Sequence, residues 1–361
     1  MIKSHPSFLT DTLAQIRPVS PQLRSAAERR LDQLTKPPGS LGHLESIGAQ
    51  CYAITDGHWS VPLLKSAYLF AADHGVTEEG VSAYPSAVTA QMVENFLQGG
   101  AAINVLARLH GVQLTIIDTG VDADFSDHAA LWPRKVRRGS RNMRREPAMT
   151  ADEMHSALAI GLEAADDANR RAAVVVAAGE MGIGNTTAAS ALAAALTHHG
   201  VATVTGSGTG ITSETRLIKQ QVIEDALQQH LPRWRTQPSE PLELLRCIGG
   251  LEIAAMAGFF LGAARHRKII VVDGFIATAA AAVAVAIAPS VRDYLLAGHR
   301  SQEPGHAYLL QHLGLEPILD LHMRLGEGTG AVLAMPVIDS ALHILTDMAT
   351  FASAGVSTAH A

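Results

Sequence analysis

A doubly wound α/β fold with a mostly parallel sheet is predicted for this 361-residue chain by three observations. Five apolar runs each end in glycine or an acidic residue, as strands buried on both faces do: SAYLFAADHG (66–75), VQLTIIDTG (112–120), AAVVVAAGE (172–180), VATVTGSG (201–208) and KIIVVDG (268–274). Helical patterns separate the runs, and strand–helix alternation argues for parallel pairing with right-handed crossovers. Hydrophobic residues make up 47% of the chain but aromatics only 4%, so the interior has to be built from Ala, Val, Leu and Ile, which suits close-packed helices over strands.

Taken in order, about three helical patterns precede the first strand. The second opens with Ser20 as N-cap and Pro21 at the first helical position, where its missing N–H costs nothing. Lys36-Pro37-Pro38-Gly39-Ser40 then breaks the helices. Between the later strands, Thr187 to His199 and Ser213 to Leu231 read as helices. Arg134 to Met149 is basic and poor in apolar residues, as a surface connector would be. Gly330 to about Gly355 reads as one or two helices that join the N-terminal ones. The expected division is a small helical domain from 1–60 with 331–361, and a large α/β catalytic domain over 61–330.

The formal net charge is -6 and the short basic run is diluted by acids elsewhere, so no nucleic-acid partner is expected. Cys51 and Cys247 stand far apart with no C-x-x-C neighbour, which suits a reducing, cytoplasmic setting. Pro6 and Pro18 interrupt the N-terminal segment, which lacks an apolar signal core. The apolar stretch from Ile276 to Pro289 falls short of the roughly 20 residues of a membrane span, so no membrane partner is expected either.

Three glycine-rich turns concentrate the chemistry: GEMGIGNTT (179–187), GSGTGIT (206–212) and GEGTGA (326–331). The first two are expected to follow strands and open helices. Glycine lets backbone approach a ligand, and the free N–H groups of a helix's first turn favour an anion such as phosphate. A tight strand–helix turn also wants glycine for its own sake, but two in succession before Thr-rich helix starts favour phosphate. Neither is a Walker loop or a G-x-G-x-x-G dinucleotide loop. Acids end the strands at Asp73, Asp118, Glu180 and Asp273, while Glu327 lies between glycines outside them. Asp273-Gly274 alone would read as a simple turn. Glutamate is a poor turn residue, so Glu180 and Glu327 call for a chemical reason. The 17 histidines form no H-E-x-x-H, Asp73-His74 is a poor metal site by itself, and no metal is expected.

Seven ordered motifs, KPPGSLGHLE (36–45), AADHGVTEEGVSAYPSAVT (71–89), AGEMGIGNTT (178–187), GSGTG (206–210), IGGLEIAAMAG (248–258), DGFIA (273–277) and MRLGEGTGA (323–331), resemble the nicotinate-nucleotide–dimethylbenzimidazole phosphoribosyltransferase family across nearly the whole chain. His43 departs from that pattern, where arginine is expected, outside the glycine-rich motifs. The resemblance implies a Rossmann-like large domain, a small domain from both termini, a homodimer, and neither metal nor bound cofactor. It implies transfer of phosphoribose from nicotinate mononucleotide to dimethylbenzimidazole, giving alpha-ribazole phosphate for the lower loop of cobalamin. It places the catalytic base on Glu327 and puts Glu180, Gly182, Gly208, Lys219 and Ser301 around the nucleotide, with Asp273 and Gly274 of the DGFIA motif in the same site. The flat base is expected against Tyr84, Gln91, Met181 and Leu325. The competing readings are another nucleotide-using transferase or a dehydrogenase on the same fold, or a non-catalytic benzimidazole-binding protein.

Overall fold

The computed structural model describes residues 7–208 and 210–357. Thr209 of the GSGTG turn, and the two termini included in the expected small domain, lie outside the described residues. Seven strands, all parallel, form one sheet: β1 (Lys65–Ala72), β2 (Val112–Gly120), β3 (Leu131–Pro133), β4 (Val175–Met181), β5 (Ile269–Val272), β6 (Leu295–His299) and β7 (Pro317–Leu319), in the order β3-β2-β1-β4-β5-β6-β7. The order reverses direction between β1 and β4. Crossovers there leave the sheet on opposite sides, which opens a crevice beyond the strands' carboxyl ends.

Four of the five expected strands are present. The fifth, 201–208, is instead a helical turn, Val201–Val204, followed by an irregular segment. β4 pairs directly with β5, Val175 opposite Ile269, so no slot remains between them for another strand. Val201 and Val204 are buried all the same, and Thr205 Oγ1 donates to the Val201 carbonyl at 2.7 Å to close the turn. Packing thus makes helical a β-branched run whose residue types alone favour a strand. The glycine-rich turn at 206–212 accordingly follows no strand. β3, β6 and β7, of three to five residues each, add to the strands expected from sequence.

The Ala-rich composition acts through helix contact. Helices Ala151–Arg170 and Leu251–Arg265 approach so closely that a Cβ on Gly161 would meet the Ala255 carbonyl at 1.9 Å, and one on Gly258 the Leu158 carbonyl at 2.1 Å. Only glycine fits at these two crossings. The second helix is buried nearly end to end and packs on β1, β2, β4 and β5. Ser20 caps helix Pro21–Asp32 as expected, accepting from Leu23 N at 3.3 Å. That helix and His43–Ile54 meet Thr329–Asp347 in a small apolar cluster of Ala27, Leu31, Leu34, Ala49 and Leu345, apart from the main core.

Thr329–Asp347 is, among the described residues, long and apolar enough to cross a membrane. It carries Pro336, lies against β4 to β7, and holds Asp339 to Lys65 at 2.5 Å. The connector 134–149 is a loop tied by ion pairs, among them Arg134 to Glu163 and Arg144 to Glu79, both at 2.7 Å.

Candidate active site

A cavity of about 530 Å³ opens at the carboxyl ends of β4, β5 and β6. Four chain segments supply its chemistry, each launched from a strand or a glycine turn.

β4 delivers Glu180 and Met181, then turns through Gly182 to Gly184 into helix Asn185–Thr197. Asn185 and Thr186 at the helix start line the cavity, while Ile183 N donates to Thr89 Oγ1 at 3.1 Å and Asn185 N to the Gly182 carbonyl at 3.1 Å. Glu180 is 7% exposed and accepts from Asn185 Nδ2. Burial, with the Glu252 and Asp273 carboxyls nearby, pushes its pKa up to about 8. Its side chain is therefore mostly protonated at neutral pH.

β5 delivers Asp273 and Gly274. Asp273 Oδ1 accepts from Ala331 N at 2.9 Å, and Oδ2 accepts from Gly328 N at 3.1 Å. Both oxygens of this carboxylate are therefore committed to the backbone of 328–331. Asp273 lines the cavity but works as a remote cap for helix Thr329–Asp347, supplying the acceptor that Gly328 at the N-cap position lacks. Asp273→Asn, which turns one acceptor into a donor facing an N–H, should loosen the neighbouring Glu327 turn. The expected loss is about 1–3 kcal/mol of stability, with turnover falling too. Calorimetric melting and the turnover number of the folded variant check this, and a parent-like pair of values would refute it.

The turn from Gly326 to Gly328 is the third segment. All three residues are left-handed, with φ of 84°, 64° and 89°. For the two glycines this is unforced, but Glu327 there stores backbone strain of about 1–3 kcal/mol, a cost typical of functional sites. The turn packs tightly on β4: the Glu327 backbone carbonyl would be 2.2 Å from a Cβ on Gly179. The Glu327 carboxylate is 6% exposed and accepts from Ile103 N at 3.4 Å. Burial, together with Asp273, raises its pKa to about 6. It is thus a carboxylate at neutral pH, yet a stronger base than an exposed glutamate.

β6 ends in His299 and leads to Ser301 and Glu303. Ser301 N donates to His306 Nδ1 at 2.9 Å, and burial pushes that imidazole down to about 3, keeping it a neutral acceptor. Across the cavity, Gly208 donates its N–H to Glu303 Oε1 at 2.9 Å and accepts at its carbonyl from Arg324 Nη1, also at 2.9 Å.

Of the residues expected around substrate, Glu180, Met181, Gly182, Gly208, Asp273, Gly274, Ser301, Tyr84, Leu325 and Glu327 all line this one cavity. Tyr84 and Leu325 are half-exposed at its mouth. Gln91 does not line it and lies exposed on helix Ala87–Leu97. Lys219 stands behind the lining: it is 1% exposed, and its Nζ donates to Thr186 Oγ1 at 2.8 Å. Burial lowers its pKa to about 8.

Asn185, Thr186, His299, Glu303 and Arg324 also line the cavity, beyond the residues expected from sequence. Asn185, Thr186 and Arg324 fall inside the quoted motifs, where the glycines beside them carry the stronger signal. His299 ends β6 and Glu303 follows it, and that strand, LLAGH, carries no β-branched residue to mark it. Among the described residues, no group of three or more His, Cys, Asp or Glu side chains converges as a metal would need.

A doubly wound sheet with a glycine-rich helix start at its switch point, facing a strained basic carboxylate, is an arrangement that suits a nucleotide-handling transferase. The family model described as a phosphoribosyltransferase, DBI_PRT, matches residues 16–356, and the chain belongs to that family. The nicotinate-nucleotide–dimethylbenzimidazole phosphoribosyltransferase of Geobacter metallireducens is 50% identical over 350 residues, covering 97% of this chain and 98% of its own length. The same-named protein of Chloroflexus aggregans is 50% identical over 352 residues, 97% of this chain and 98% of its own. The crystal structure of that enzyme from Thermus thermophilus superposes with a TM-score of 0.87 at 46% identity, over 94% of this chain and 100% of that one.

Proposed function

We propose that the chain transfers the 5-phosphoribosyl group of nicotinate mononucleotide to dimethylbenzimidazole, releasing nicotinate and forming alpha-ribazole phosphate. The observation that carries this reading is the pairing of Glu327, a buried and basic carboxylate, with the helix N-terminus after Gly182 across one cavity. Nicotinate is attached to ribose as a pyridinium, so it leaves with the bonding electrons as a neutral ring nitrogen and requires no acid. The incoming base attacks C1′ through its lone-pair nitrogen, and its other N–H becomes acidic as positive charge develops. Glu327 accepts that proton. Attack from the face opposite the leaving group turns a beta bond into an alpha bond.

The phosphate would rest against the Asn185–Thr186 start of that helix, with the Lys219 cation behind Thr186. The flat base would lie between Tyr84, Met181 and Leu325 at the mouth. Glu180 at about 8 and Glu327 at about 6 divide the protonation states: the first donates a hydrogen bond while the second takes a proton. Holding nucleotide and base in line supplies the remaining acceleration through proximity.

The small helical domain from 1–60 and 331–361 belongs to the same proposal, as do a homodimer and a cytoplasmic location. Val105 and Leu109, exposed one turn apart on helix Ala102–Leu109, offer an apolar stripe for a second copy, and the two buried free cysteines suit a reducing compartment.

The competing dehydrogenase reading is separated by ligand choice. In calorimetric titration the protein should bind nicotinate mononucleotide and show no comparable heat with NAD. A complex structure should place the nucleotide phosphate between Gly182 and Gly208. A nucleotide seated at the amino ends of the strands, or preference for NAD, would remove the reading.

A further inference from the structure

His74 is a buried ionisable side chain near the cavity that the proposed chemistry leaves unused. It sits just beyond β1, 2% exposed, and its Nε2 lies 2.6 Å from Oε1 of Glu252, which is wholly buried in the first turn of helix Leu251–Arg265. Three glycines from two other segments wrap the ring. A Cβ on Gly182 would stand 3.3 Å from its Cδ2, one on Gly184 3.2 Å from its Cβ, and one on Gly250 only 2.3 Å from its Cε1. The imidazole thus packs under the Gly182–Gly184 turn, beside the Ala72 carbonyl, which would stand 2.4 Å from a Cβ on Gly182, and the Thr77 methyl, 2.9 Å from one on Gly184. Glu252 holds it there from the far side.

We propose that His74, oriented by Glu252, is a positioning residue that sets the path of the Gly182–Gly184 turn and so presents the helix N-terminus to the nucleotide phosphate. This rests on the reading of that turn as the nucleotide's seat. His74 touches no reacting atom and acts through the backbone beside it. A buried ion pair is a costly way to fill space, since each charge must be desolvated. An imidazole held through Nε2 by Glu252 and packed against three glycines fixes a turn more sharply than an aliphatic side chain free to change rotamer would.

Gly250 offers a test that leaves both ionic partners in place. It has extended backbone, with φ of -155°, and does not line the cavity, so alanine is tolerated locally but must push aside His74 and with it the Glu252 carboxylate, whose Oε2 would stand 2.9 Å from the new Cβ. Gly250→Ala should raise KM for nicotinate mononucleotide about tenfold or more, while KM for dimethylbenzimidazole and the turnover number stay within about threefold. Backbone amide exchange at 182–186 should accelerate in the same variant. His74→Ala should shift both readouts the same way, and the His74→Ala/Gly250→Ala double variant should lie nearer the parent than either single variant, because the added methyl occupies the vacated space.

Unchanged nucleotide KM and unchanged exchange in folded Gly250→Ala would overturn the proposal. So would a double variant whose losses simply add. If His74→Ala fails to fold, Gly250→Ala decides alone. If the parent releases no nicotinate at all, the assigned reaction falls, and the exchange rates still decide whether His74 governs the turn.

Discussion

Glu327→Gln is expected to keep the fold and the binding of both substrates while turnover falls by about 10²–10⁴-fold, or ~3–5 kcal/mol of transition-state stabilisation. Glutamine preserves shape and can still accept from Ile103 N, but it cannot take the proton. In the parent, turnover should decline as pH falls through the raised value of about 6, where the carboxylate protonates. That limb should be absent from the variant. Stability should move the other way. The folded-state value of Glu327 lies above the ordinary 4.5, so the folded form binds its proton more tightly than the unfolded chain does. Burying the charge therefore costs stability as pH rises from 4.5 through about 6. At pH 7 the neutral glutamine variant should melt no lower than the parent. Turnover within a few-fold of the parent would leave Glu327 as a mere positioner of the base.

Gly182→Val is expected to raise KM for the nucleotide by about 10–100-fold, with a much smaller change for the base, if overpacking costs the usual 1–3 kcal/mol. The side chain would obstruct the phosphate, and its Cβ would already be 2.4 Å from the Ala72 carbonyl and 3.3 Å from His74 Cδ2. The turn must shift whether or not substrate is present. Calorimetric affinity for nicotinate mononucleotide in the folded variant measures this. An unchanged affinity would mean that the phosphate sits elsewhere.

The sheet is legible where strands are long and buried on both faces, because near-continuous apolar runs ending in glycine or acid have few other solutions. β1, β2 and β4 are of this kind, and β5, though only four residues long, shows because IIVV is wholly β-branched and runs into Asp-Gly. The 201–208 run misleads because β propensity describes a pleated, half-buried surface, and Val201 and Val204 find their burial among helices instead. β6 escapes notice because LLAGH has no β-branched residue, and β7 because PIL is too short to show a period. The site is legible through its glycines, since the backbone geometry they permit leaves a mark in sequence. What the partners of those glycines do leaves no mark. That Asp273 spends both oxygens on the backbone of 328–331, or that Glu303 holds Gly208, depends on segments that meet only in the folded chain. Lys219 illustrates the same limit: its sequence context resembles a surface helix, and only the fold shows it buried behind Thr186.

Product identification decides the reaction. Purified protein mixed with nicotinate mononucleotide and dimethylbenzimidazole should yield nicotinate and a ribazole phosphate in equal amounts by mass spectrometry, with the ribazole in the alpha configuration by NMR and neither product formed when the benzimidazole is left out. Absence of both products across the range from acid to neutral pH, or nicotinate release that proceeds equally well without the base, would contradict a phosphoribosyl transfer driven by Glu327.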